Sequence, residues 1–110
     1  MEDNELQFFE LISNAGAARS AYIEAINWAE KKDFAKAAQA IAEGDKVYAD
    51  GHKVHFKLVQ NEAAGKKNNT SLLLIHAEDL LIGAEMFKII AESFIKVYKH
   101  MDEELAKKTV

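Results

Sequence analysis

The chain has 110 residues, 49% of them hydrophobic and 29% charged, with a net charge of -4 and neither cysteine nor proline. That length suits one domain, and the balance is that of a folded protein and not of a disordered one. Disulfides, thiolate metal centres and a cysteine nucleophile are excluded, and the scattered lysines form no basic stripe that would neutralise a nucleic-acid backbone. The acidic opening Met1-Glu2-Asp3-Asn4-Glu5 lacks the basic segment and apolar run of a secretory signal. No stretch is long and apolar enough to span a membrane, so the expected location is cytoplasmic, without membrane insertion.

Abundant Ala, Leu, Glu and Lys with no proline predict an all-α fold of three long helices. The first covers about residues 2–32, with Leu6, Phe9 and Ile12 and then Ala18, Tyr22, Ile26 and Ala29 recurring at helical spacing. Gly16, within the small-residue patch Asn14-Ala15-Gly16-Ala17-Ala18, suggests a close helix approach or a bend. Lys31 and Lys32 suit a helix C-terminus and Asp33 an N-cap, which predicts a tight turn. The second helix covers about residues 34–64, with Gly44 and Gly51 as local weak points. Gly65-Lys66-Lys67-Asn68-Asn69-Thr70 is the clearest loop, and Thr70 or Ser71 should cap the third helix.

That helix, about residues 71–101, would be about 45 Å long. It is apolar nearly all round, from Leu72, Leu73, Leu74 and Ile75 to Phe94, Ile95, Val97 and Tyr98. Two neighbours from the same chain cover only part of such a circumference, so the expected architecture is an antiparallel helical bundle that oligomerises through its third helix. The charged tail from about residue 101 is expected to fray.

His76, Glu78, Asp79, Glu85 and Lys88 interrupt this helix, and two of them, Asp79 and His76, are candidates for chemistry. Asp79 falls among Leu72, Ile75, Ile82, Met86 and Ile89, a three- and four-residue alternation like a coiled-coil seam. A carboxylate on a buried seam needs hydrogen bonds, a counter-charge or a metal, and a rotation axis there would bring several copies together. At the edge of the stripe it would simply be solvated, and spacing leaves both readings open. His76 lies three residues earlier on nearly the same face. Its imidazole is either a structural polar group or a nucleophile able to accept and release a phosphoryl group. His52 and His55 form an i, i+3 pair, yet no Glu-x-x-His partner appears elsewhere for a dimetal site. Lys53, Lys57, Lys66 and Lys67 form a solvated face or a docking surface for an acidic partner.

The order of features resembles the lactose/cellobiose-type enzyme IIA of the bacterial sugar phosphotransferase system, from about Leu6 to Lys99. The matching residues are Ala15-Gly16-Ala17-Ala18-Arg19-Ser20, Asp33-Phe34, His52 and, above all, Leu74-Ile75-His76-Ala77-Glu78-Asp79-Leu80. The resemblance implies a homotrimer whose third helices meet near the axis. It implies that His76 is the phosphorylated residue, and that three copies of Asp79 bind a divalent cation such as Mg2+. The implied partners are the carrier protein HPr, enzyme IIB, whose cysteine takes the phosphoryl group onward, and the IIC sugar transporter.

The chain departs from the family pattern His-x-Gln-Asp-His by carrying Glu78 for the glutamine and Leu80 for the second histidine. On the second helix the pattern Ala-His-x-x-Gln-Thr becomes Gly51-His52-Lys53-Val54-His55-Phe56. Leu80 removes a polar group one turn from His76, Glu78 adds negative charge, and His55 is a candidate replacement donor. Two functions follow as expectations: a phosphocarrier, or a divergent non-catalytic trimeric helical module that regulates a partner.

Overall fold

A computed structural model describes residues 3–67 and 70–108. The helix start expected at Glu2, the loop residues Asn68 and Asn69, and the last two residues of the tail lie outside the described residues. Three helices, α1 (Asp3–Glu30), α2 (Phe34–Ala63) and α3 (Leu72–Lys108), run antiparallel in a rod of 65 × 23 × 20 Å, with no strand among the described residues. α1 packs against both neighbours along most of its length, while α2 and α3 touch one another far less.

The buried stripe of α1 is Phe8, Leu11, Ala15, Ala18, Tyr22, Ala25 and Ala29, which keeps a strict three-then-four spacing from end to end. The expected Leu6 and Phe9 are 55% and 46% exposed. A stripe through Leu6, Phe9 and Ile12 could not continue into Ala18 and Tyr22 without a shift of phase, and the continuous stripe prevails. α2 buries Ala37, Gly44, Gly51 and Leu58, one residue per heptad. α3 turns Ala77, Leu81, Ala84 and Ala91 inward. Phe8, Leu11 and Tyr22 are the largest fully buried side chains, and burying a leucine or phenylalanine contributes about 1.5–3 kcal/mol.

The glycines have roles other than those expected. A Cβ at Gly16 would meet nothing within 4 Å, so neither close approach nor bend is built there, and α1 runs through it unbroken. On α2, a Cβ at Gly44 would lie 2.5 Å from the Tyr22 ring, and one at Gly51 would lie 3.2 Å from Asn14 Cβ. These two glycines admit α1 against α2, Gly44 beneath the Tyr22 ring and Gly51 beside Asn14; they are contact points.

Both helix C-termini close in the same way. Lys32 N–H donates to Ala29 O and Asp33 N–H to Trp28 O; after α2, Gly65 N–H donates to Glu62 O and Lys66 N–H to Asn61 O. In each the residue past the helix is left-handed: Gly65 with φ 83° and Lys32 with φ 65°. Glycine adopts this at no steric cost, whereas lysine there costs about 1–2 kcal/mol. Asp33 accepts the Lys36 N–H at 3.1 Å and caps α2, and Ser71 Oγ accepts the Leu74 N–H at 3.2 Å and caps α3.

α3 reaches Lys108, seven residues past the expected end. The last turns consist of strong helix formers, Glu104 pairs with Lys107, and Lys107 and Lys108 stand where the helix dipole favours cations. The tail described to Lys108 is therefore helical in this structure.

Candidate functional site

Three sides of α3 serve different neighbours. Its alanine-rich side seals the core. The flank toward α2 carries Glu78, Glu85 and Lys88; the flank toward α1 carries Phe87, whose ring lies 5.8 Å beneath the Arg19 guanidinium. The remaining side faces outward and is apolar: Ile75, Ile82, Met86 and Ile89 are 54–60% exposed, and Ile90, Phe94, Val97, Met101 and Leu105 extend it. A contiguous patch of this length is characteristic of an interface.

Asp79 is exposed and sits within this outward stripe between Ile75, Ile82 and Met86. Among the described residues it makes no hydrogen bond or ion pair. No three metal-capable side chains gather within one chain among the described residues, so a cation at Asp79 requires carboxylates from further copies. A carboxylate is the hard oxygen donor that Mg2+ or Ca2+ prefers, so the residue type fits.

His76 is exposed as well. It lies at the margin of the outward stripe on the α1 flank, with its ring free of hydrogen bonds among the described residues. Ala77 beside it is fully buried, which anchors this turn of the helix to the core. The arrangement offers an accessible nitrogen nucleophile on a rigid support, as phosphoryl transfer needs.

Between α2 and α3 runs a polar ladder. Asp45 Oδ1 pairs with Lys88 Nζ at 3.0 Å, Tyr48 Oη donates to Glu85 Oε2 at 3.5 Å, and His55 Nδ1 lies 2.6 Å from Glu78 Oε2 and 2.8 Å from Oε1. Three steps forward on α2, and then seven, match three and seven steps back on α3, so the rungs share one antiparallel register. Tyr22 Oη also donates to Asp45 at 2.8 Å. Burial and that bond push the Tyr22 hydroxyl far above the usual tyrosine range. Burial and then Glu85 raise Tyr48, while the bond to Asp45 raises Lys88.

His55 and Glu78 are thus brought together, with side chains 33% and 27% exposed. The sequence offers Glu78 as added negative charge and His55 as a replacement donor, with nothing to link the two. The signal that would have joined them is the register of the ladder, which also predicts Tyr48–Glu85 and Asp45–Lys88. His52 is exposed, its ring 5.9 Å from that of His55. Leu80 packs on the core cluster of Phe8, Leu11 and Leu81, where a second imidazole would be partly desolvated. Lys53, Lys57, Lys66 and Lys67 are all exposed.

The chain is an all-helical subunit, an antiparallel three-helix rod with an uncovered third helix and a solvent-facing histidine, and comparison with known proteins gives its family. Residues 6–99 match the family described as PTS system, lactose/cellobiose specific IIA subunit. The lactose-specific EIIA component of Staphylococcus epidermidis is 35% identical over 101 residues, covering 90% of this chain and 97% of that protein. The crystal structure of the cellobiose-specific enzyme IIA from Bacillus anthracis superposes with a TM-score of 0.92 at 37% identity, over 94% of each chain. A solution structure of a chitobiose IIA in complex with HPr matches with a TM-score of 0.82 at 26% identity, covering 93% of this chain and 99% of that one. The chain belongs to the lactose/cellobiose IIA family and has a sugar-specific IIA role in the phosphotransferase system. No helix among the described residues is long and apolar enough to cross a membrane.

Proposed function

We propose that this chain is a cytoplasmic phosphocarrier in which His76 accepts a phosphoryl group from the phosphohistidine of HPr and passes it to a cysteine of enzyme IIB, which serves the IIC transporter. In the first step the His76 lone pair forms a nitrogen–phosphorus bond as the donor's nitrogen–phosphorus bond breaks and its electrons return to the donor imidazole. In the second, the IIB thiolate attacks phosphorus and the His76 bond breaks, leaving the neutral ring as it began. The protein's task is to position the groups and to tolerate the charge on the phosphoryl oxygens. The observation that carries this reading is the exposed His76, within the family-matched residues 6–99 and in the stretch Leu74–Leu80 that carries the sequence resemblance, on a helix turn anchored by buried Ala77. The HPr complex of the chitobiose IIA supports the same donor here.

The working unit in this reading is a homotrimer joined through the outward face of α3, with the three Asp79 carboxylates around a divalent cation such as Mg2+. The cation would offset the charge confronted at the axis. His76, at the margin of that face, then lies in a cleft between subunits that a docking carrier can reach.

Incubation with phosphoenolpyruvate, enzyme I and HPr is expected to add one phosphate to each chain, located on His76 by mass spectrometry and abolished by His76→Ala. Leu80, packed on the core where the family pattern has a second histidine, favours a second reading, a trimeric regulatory module that no longer transfers phosphate. A wild-type protein that stays unmodified while another family member is labelled in the same mixture would establish it instead.

A further inference from the structure

Two departures from the family pattern turn out to be partners. Glutamine on the third helix is replaced by Glu78, glutamine on the second by His55, and the structure joins the replacements through His55 Nδ1, within 2.8 Å of both carboxylate oxygens. Glu78 brings a full negative charge to the neighbourhood of a site that must receive a dianion. Its carboxylate also borders a cleft of about 210 Å³ lined by Leu58, Val59, Glu62 and Leu74, where Glu62 adds a second negative charge. The imidazole is therefore the group that fixes where the Glu78 charge rests.

The geometry of α3 decides which His76 that charge concerns. On one helix His76 and Glu78 are two residues apart, about 200° around the axis, one on the α1 flank and the other on the α2 flank. Within a chain they point apart. In a ring of three parallel copies joined through the outward face, the α1 flank of each copy meets the α2 flank of the next. The two positions differ by only about 3 Å along the axis, so His76 of one subunit stands level with the His55–Glu78 pair of its neighbour.

We propose that His55 is a positioning residue for phosphoryl transfer: by donating Nδ1–H to Glu78 it ties the carboxylate back against α2, out of the cleft where the adjacent subunit's His76 receives its phosphoryl group. The proposal rests on the phosphocarrier reading and its trimer. Glutamate has three rotatable side-chain bonds, so without the tie its charge sweeps several ångströms, and repulsion of a dianion grows steeply as that gap closes. A neutral glutamine needs no such tie. His55 and Glu78 together do in this chain what an uncharged pair does in the family pattern.

The test is the initial rate of label transfer from phospho-HPr to the full-length trimer. His55→Ala is expected to slow transfer about fivefold, while Glu78→Gln stays within about twofold of wild type. The decisive protein is the double variant His55→Ala/Glu78→Gln, expected to return to within about twofold of wild type because the charge that needed restraint is gone. His55→Asn, whose amide N–H can replace Nδ1–H, should retain the wild-type rate. His55→Leu, which keeps volume without a donor, should behave as His55→Ala and replaces it should the alanine variant fail to assemble. The 15N shifts of the His55 ring should show the proton on Nδ1, a preference lost in Glu78→Gln. A double variant as slow as the single, or a His55→Ala protein at full speed, overturns the role of His55 and leaves the phosphocarrier reading standing. A wild type that takes no label overturns both.

Discussion

Along α3, the side that meets α1 and α2 holds Ala77, Leu81, Ala84 and Ala91, while the opposite side holds Ile75, Ile82, Met86 and Ile89, more than half exposed in a single chain. A helix whose final environment were this one rod would place its large residues inward and its small ones outward. α3 does largely the reverse, with Leu81 the one large residue among its four buried ones. Alanines within let the helices approach closely around Tyr22, Phe8 and Leu11, so the monomer core is narrow and dense. The large side chains outside are left for a second layer, the face through which the proposed trimer would assemble. Asp79 interrupts the outward side and His76 borders it, so both candidate residues stand at the side that a single chain leaves open.

The largest expected effect comes from breaking the outward side. Ile82→Glu places a charge in an apolar contact repeated in every copy, at a cost of several kcal/mol for each charge left unpaired. It should convert the proposed trimer to monomers by sedimentation velocity while far-UV circular dichroism stays helical. A variant that remains trimeric would show that α3 associates through another side. Next comes the inward side: Ala84→Leu forces a larger side chain into the cluster of Ala18, Tyr22 and Ala91, and overpacking of this kind costs about 1–3 kcal/mol. The melting temperature should fall whatever the protein concentration, because the damage lies within one chain. A melting temperature that recovers on concentration would blur the distinction between the two sides. The smallest effect is expected from Asp79→Leu, which completes the apolar stripe. Trimer stability should hold or rise by up to about 1 kcal/mol per chain, and bound divalent metal, read by inductively coupled plasma mass spectrometry, should disappear. Metal content unchanged from wild type would remove Asp79 from the axis.

Much of this contrast is present in the residues before any packing is known. The near-continuous apolar character of the third helix predicts that two neighbours cannot cover it, and His76 and Asp79 stand out as polar interruptions. The phase of α1 was equally available: Phe8, Leu11, Ala15, Ala18, Tyr22, Ala25 and Ala29 keep one heptad alternation throughout, whereas Leu6, Phe9 and Ile12 do not extend it. The sequence reading has the second half of that stripe in Ala18, Tyr22 and Ala29 but not the first, because a run of closely spaced apolar residues satisfies more than one phase locally and only the longer window separates them. Gly44 and Gly51 were read as weak points because intrinsic propensity penalises glycine in a helix. Tertiary contact outweighs propensity here, since the Tyr22 ring leaves no room for a Cβ at Gly44.

By itself the sequence determined the three helices, the turn at Asp33, the start of α3 near Ser71 and the candidacy of His76, because periodicity, capping and motif order are local properties. Tertiary structure decided which residues share a rung. His55 and Glu78 are 23 residues apart and on different helices, and neither suggests the other until the α2–α3 register is fixed. That register comes from the packing of both helices on α1. It turns two separate departures from the family pattern into one hydrogen-bonded pair on the α2 flank of α3, opposite the flank that carries His76.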